Sequence, residues 1–128
     1  MGRVLIVDDD PAICDVLSDI LGAEGFEAAC AQTDRAAYAL IPTLPTFRAL
    51  IVDINLRHGT TGFDVARFAR QVIPDLLVIY MSGETLGSSL DAFGVPASEF
   101  LRKPFVADDL LKTIAAQKPR GDDPADGG

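Results

Sequence analysis

Four short stretches of the sequence place reactive side chains directly after apolar runs. Asp8, Asp9 and Asp10 follow Val4-Leu5-Ile6-Val7, Asp53 follows Leu50-Ile51-Val52, Ser82 follows Leu77-Val78-Ile79-Tyr80-Met81, and Lys103 stands just beyond Phe100-Leu101. If the runs are strands of one sheet, carboxylates, a hydroxyl and an ammonium meet at one edge. Clustered carboxylates repel one another, so the arrangement is costly unless a cation offsets it. Hard oxygen ligands in that number suit Mg2+, with Mn2+ as a substitute, and such an ion keeps waters and accepts phosphate oxygens. A lysine and a serine hydroxyl opposite would hold other oxygens of a phosphoryl group. A carboxylate can itself be the nucleophile that receives that group. Chemistry alone therefore points to an Mg2+-dependent aspartyl-phosphate site.

The elements that must position these residues are legible from periodicity. The three strong runs are aliphatic without alternation, as expected of strands buried on both faces of a parallel sheet. Ala28-Ala29-Cys30-Ala31 and Phe100-Leu101 supply a second and a fifth strand. Asp10 caps a first helix with Pro11 at its first position. Ile13, Val16, Leu17, Ile20 and Leu21 form its apolar stripe, and it ends near Gly22 and Gly25. Further helices are expected at about 35–41, 63–73, 86–93 and 106–117. Alternating strands and helices in one small domain imply an α/β fold, a doubly wound five-stranded parallel sheet. Ligands of such sheets bind beyond the carboxyl ends of the strands, where the strand order switches.

The chain has 128 residues, the size of one domain. We expect that domain over 1–118, and a disordered acidic tail over 119–128. Acidic residues outnumber basic ones 19 to 11, a net charge of −8. That balance argues against nucleic acid or an anionic membrane as partner, because no basic surplus exists to neutralise phosphates. No apolar run reaches the roughly 20 residues that span a bilayer, so a cytoplasmic location is expected. Cys14 and Cys30 are too few for a disulfide scaffold and are expected to pack as small apolar groups, neither metal ligands nor a redox pair. His58, in a glycine-threonine loop, reads as an exposed side chain without a role in phosphoryl transfer.

The order Asp8-Asp9, Asp53, Ser82, Lys103-Pro104 resembles the receiver domain of two-component response regulators, over about residues 3–117. The resemblance implies a flavodoxin-like sheet, and a signalling phosphoacceptor that acts only on its own phosphorylation state. Asp53 would accept a phosphoryl group from a phosphohistidine of a sensor kinase or histidine phosphotransfer protein. Asp9, Asp53 and the main-chain carbonyl of Asn55 would ligate Mg2+, and Asp8 would assist through water. Lys103 would contact the phosphoryl oxygens, with a cis bond to Pro104, the residue type that makes cis accessible. Ser82 and Phe100 would form the switch, and Asn55 and Glu84 would tune autodephosphorylation. Output would be protein–protein contact with an unknown downstream target, the chain being a monomer or a weak phosphorylation-dependent dimer.

Two departures from the family pattern stand out. Arg57 replaces an expected proline, and Gly62 lies nine positions after Asp53 rather than eight, so the loop between them is one residue longer. Alternatives to a stand-alone receiver are a receiver fragment of a hybrid histidine kinase or longer regulator, and a pseudo-receiver that binds without being phosphorylated. An aspartate-nucleophile phosphohydrolase is disfavoured, because Asn55 stands where such enzymes place a second aspartate.

Overall fold

Val4 to Val7 lie in the central part of a sheet in the computed structural model, which describes residues 2–43, 47–56, 61–83 and 94–116. The strands are β1 (Arg3–Val7), β2 (Glu27–Ala31), β3 (Phe47–Asp53), β4 (Leu77–Ser82) and β5 (Ser98–Arg102). They form one sheet of order β2-β1-β3-β4-β5 in which every neighbouring pair is parallel. Helices α1 (Pro11–Ala23), α2 (Asp34–Leu40), α3 (Gly62–Val72) and α4 (Ala107–Ala116) join or follow them. The helix expected at 86–93 and the tail lie outside the described residues.

The unalternating strand runs are explained by burial on both faces. Leu5, Val7, Leu50, Val52, Val78 and Tyr80 pack on one face with Ala37 of α2 and Val65, Ala66 and Ala69 of α3. Val4, Ile6, Ile51, Ile79 and Met81 pack on the other with Cys14, Leu17 and Leu21 of α1 and Leu110 of α4. Each fully buried aliphatic chain of this size stabilises the fold by roughly 1.5–3 kcal/mol. The three central strands are thereby fixed in register up to the residues that end them.

Helix α1 begins as its sequence implies. Asp10 is the N-cap, its Oδ1 accepts from the Ala12 N–H at 2.9 Å, and Pro11 opens the helix. Gly25 follows the helix at φ 91°, a conformation that costs glycine little. The inward stripe differs from expectation at one position: Val16 is 52% exposed, and Cys14 is buried in its place. Cys14, Leu17 and Leu21 share a face at a spacing of three and four, whereas Val16 lies two residues from Cys14 and so on another side. Helix α2 is capped by Thr33, whose Oγ1 accepts from the Ala36 N–H at 3.0 Å. It tightens into a 3-10 turn at Ile41–Thr43, where Pro42 can donate no backbone hydrogen bond.

The cysteines also differ from expectation. Cys14 and Cys30 are joined in a disulfide between α1 and β2, across a Cα–Cα distance of 6.1 Å. Cys30 pairs in register with Ile6 and so stands on the α1 face of the sheet, which sequence spacing does not reveal. Among the described residues no helix is long and apolar enough to cross a membrane.

Candidate functional site

Strand order determines where the site lies. β2 lies on one side of β1, and β3 and β4 extend on the other, so the chain leaves the carboxyl ends of β1 and β3 in opposite directions. The crevice this opens is bordered by Asp8, one residue beyond β1, and Asp53, the last residue of β3. Both carboxylates are buried, Asp8 at 0% and Asp53 at 7% exposure. The Asp8 N–H donates to the Ala31 carbonyl at 3.1 Å, which continues the β1–β2 ladder one step past the strand. Asp8 Oδ1 accepts from the Asp10 N–H at 2.9 Å, and Asp53 Oδ1 accepts from the Asn55 N–H at 3.0 Å.

Their other oxygens share one cation. Lys103 Nζ donates to Asp8 Oδ2 at 2.8 Å and to Asp53 Oδ2 at 3.2 Å. Its backbone N–H donates to the Ser82 carbonyl at 2.8 Å, tying the end of β5 to the end of β4, and the Lys103–Pro104 peptide bond is cis. Ser82 is fully buried at the last position of β4. Asp9 is half-buried, and one carboxylate oxygen from each of Asp8, Asp9 and Asp53 lies within 4.8 Å of the others.

The electrostatics follow from burial and from this charge arrangement. Burial pushes the Asp53 carboxyl above its ordinary value, and the Asp8 charge adds to the rise; the Asn55 N–H and Lys103 pull the other way without cancelling it. Burial alone would lower Lys103, but its hydrogen bond to Asp8 and the charges of Asp53 and Asp8 outweigh that and hold it above the usual lysine range. One ammonium cannot balance three carboxylates. The donor set is hard, anionic and closely grouped, which fits a divalent ion such as Mg2+ held by oxygen.

Asp8, Asp9, Asp53 and Lys103 are thus brought together, with Ser82 at the end of the neighbouring strand. Asn55 is exposed beside Asp53. Phe100 is on β5, in register with Tyr80, and packs half-buried against the cluster on the α2–α3 face. Glu84, and with it Arg57, His58 and Gly59 of the lengthened loop, lies outside the described residues.

Three residues support the site through contacts that the sequence alone does not show. A Cβ on Gly62 would lie 2.3 Å from the Asp53 carbonyl oxygen, and the Gly62 N–H donates to the Ile54 carbonyl at 3.0 Å. Helix α3 therefore begins against the backbone of the phosphoacceptor candidate, and only glycine permits that approach. The fully buried Tyr80 hydroxyl accepts from the Val95 N–H at 3.0 Å. Arg70 Nε donates to the Leu76 carbonyl at 2.7 Å, and its terminal nitrogens donate to the Pro96 and Ala97 carbonyls at 2.6 and 3.1 Å. Together these two side chains hold the approach to β5, the strand that delivers Lys103. Besides the displaced Gly62, a tyrosine within an aliphatic strand is a usable signal, since a buried hydroxyl requires a partner.

Comparison with known proteins agrees with this geometry. The family model of the response regulator receiver domain matches residues 4–115. The chain is 32% identical over 112 residues to the photosynthetic apparatus regulatory protein RegA of Rhodovulum sulfidophilum, covering 87% of this chain and 60% of that one. The chemotaxis protein CheY4 of Vibrio cholerae superposes with a TM-score of 0.81 at 30% identity, covering 91% of this chain and 98% of that one. The response regulator TrrA of Thermotoga maritima, solved in complex with Mg2+-BeF, gives a TM-score of 0.78 at 27% identity, with 91% and 98% covered. The chain spans about six-tenths of the curated relative's length and nearly all of the two solved structures. With the doubly wound sheet and the acidic crevice in place, the chain belongs to the response regulator receiver domain family.

Proposed function

We propose that Asp53 is a phosphoacceptor that relays a signal from a phosphohistidine. An Asp53 carboxylate oxygen attacks phosphorus, the bond from phosphorus to the donor histidine nitrogen breaks, and the imidazole leaves with the nitrogen electron pair and takes up a proton. The observation that carries this reading is the sharing of Lys103 Nζ between Asp8 and Asp53 beside a third carboxylate. Lys103 would follow charge from the acceptor carboxylate onto the phosphoryl oxygens. Asp9, Asp53 and the Asn55 carbonyl would hold Mg2+ (or Mn2+), with Asp8 assisting through water. When bound, the ion would neutralise carboxylate and phosphoryl charge.

Ser82 and Phe100 are the proposed switch, the hydroxyl turning to the phosphoryl group and the ring moving behind it. Asn55 and Glu84 are polar groups able to orient a hydrolytic water, so the phosphoryl group is expected to be short-lived. Asn55→Met combined with Glu84→Leu should slow its decay, and an unchanged decay rate would discard this role. The donor would be a cytoplasmic sensor histidine kinase or phosphotransfer protein. The output would be contact with another protein, without nucleic acid or membrane, from a monomer or a weak phosphorylation-dependent dimer. The greater length of RegA supports a second setting, the same receiver working within a longer regulator.

The test is intact mass after incubation with Mg2+ and acetyl phosphate, with Asp53→Asn alongside. One added phosphoryl group, absent without Mg2+ and absent in the variant, is expected. No adduct, together with no conformational response to beryllium fluoride, would favour a phosphorylation-independent binding module.

A further inference from the structure

The disulfide between Cys14 and Cys30 joins two unequal sulfurs. Cys14 is 4% exposed and faces the sheet from α1, whereas Cys30 is exposed on β2, the edge strand. Their Cα–Cα distance of 6.1 Å is within the ordinary range for a bridged pair, so the backbone accommodates the bond. Cys14 Sγ also lies 3.8 Å from the main-chain carbonyl oxygen of Asp8. A thiol at Cys14 can donate to that oxygen, and a disulfide sulfur has no proton to give. Oxidation therefore removes a donor from the backbone of a residue in the acidic crevice. It also pins α1, whose N-terminal turn follows Asp9 and Asp10, to the edge of the sheet.

We propose that Cys14 and Cys30 are a reversible thiol–disulfide site that sets the competence of the acidic crevice. The reductant is a dithiol. One of its thiolates attacks Sγ of the exposed residue Cys30, the Sγ–Sγ bond breaks with its electron pair passing to Cys14 Sγ, and Cys14 takes up a proton. The second thiolate of the reductant attacks its own sulfur in the mixed disulfide and releases Cys30 as a thiol. The reductant ends as a cyclic disulfide, so two electrons and two protons have moved to the protein. Oxidation is the same sequence reversed by a small disulfide. In a compartment kept reducing, disulfides that do form are characteristically transient and redox-sensing. The reduced form, in which a Cys14 thiol can donate to the Asp8 carbonyl oxygen 3.8 Å from its Sγ, is the competent one.

In its effect on phosphoryl uptake the inference rests on the function proposed above, but its first two measurements do not. The 128-residue chain is equilibrated with oxidised or reduced dithiothreitol, denatured, and tagged with a maleimide for mass analysis. No tag on a monomer after oxidation and two tags after reduction are expected. Two free thiols after oxidation, or a dimer linked through Cys30, would overturn the inference. Amide NMR shifts of metal-free protein should move between the two forms at residues 8–12, and coincident spectra there would overturn the coupling. Uptake from acetyl phosphate should be about fivefold slower in the oxidised form, the low end of couplings between sites. Cys30→Ser, altered at an exposed position, should take up phosphate at the reduced rate in both buffers. A redox response retained in that variant, or equal wild-type rates, would assign the effect elsewhere. Absence of uptake in every form would instead count against Asp53 as acceptor, leaving the tags and the NMR shifts to decide the redox site.

Discussion

Ile51 and Asp53 stand two residues apart on β3, both buried and on one face of the strand. Ile51 is surrounded by aliphatic neighbours from β1, β4, α1 and α4, each of which is also held by others. Asp53 depends on a few groups, the Lys103 ammonium and the Asn55 N–H, and even these leave its carboxyl above the ordinary range. The middle of the sheet is therefore over-determined by packing, while its carboxyl edge holds charge at a cost to stability. Buried charge retained against such a cost is characteristic of functional sites. Stability and activity should therefore separate along a single strand.

Substitutions along and beside the strand test that separation. The largest loss of stability is expected for Ile51→Ala, about 2–5 kcal/mol by chemical denaturation, from lost burial and the cavity left behind. The fraction that remains folded should still take up phosphate. Lys103→Met leaves Asp8 and Asp53 buried without their shared donor, a loss of roughly 1–3 kcal/mol in metal-free protein. Phosphoryl uptake should fall by roughly 100-fold, the scale seen when one preorganised charge-stabilising donor is removed. Loss of stability with normal uptake would make Lys103 structural only. Asp10→Ala removes an N-cap and should cost about 1 kcal/mol. Metal titration should leave its ion affinity unchanged, since capping accounts for Asp10.

The smallest stability effect, and the most discriminating, is expected for Asp53→Asn. Because the native fold raises the Asp53 pKa, the folded state binds that proton more tightly than the unfolded chain. The contribution of Asp53 to stability is thus present at low pH and is lost as pH rises through its native pKa. At neutral pH the metal-free variant should be as stable as the wild type or more so, while uptake is abolished. Subtracting the variant's stability–pH curve from the wild-type curve should show a term that declines with rising pH. A variant markedly less stable at neutral pH would contradict the electrostatic reading.

Much of this arrangement was legible in sequence because the sheet is buried on both faces. Val4–Val7, Leu50–Val52 and Leu77–Met81 identify themselves as strands, and the alternation with helices then brings Asp8, Asp53, Ser82 and Lys103 to one edge. Details that depend on contacts between elements were not legible. The stripe of α1 admitted Val16 because a helical pattern does not show how far the sheet extends beneath the helix. Pairing of Cys14 with Cys30 depends on the distance between α1 and the edge strand, which no spacing encodes. The approach of Gly62 to Asp53 is equally a matter of two backbones meeting, visible beforehand only as a glycine displaced by one position. The bond between Tyr80 and Val95 spans 15 positions and links strand to loop.

Locating the phosphoryl group chemically tests whether Asp53 is the acceptor. Protein loaded with Mg2+ and acetyl phosphate is treated with borohydride, which reduces an aspartyl phosphate to homoserine, then digested and sequenced by mass spectrometry. Homoserine at residue 53 and at no other aspartate is the expected result. Homoserine at Asp8 or Asp9, or an unmodified Asp53 in protein that carries phosphate, would contradict it.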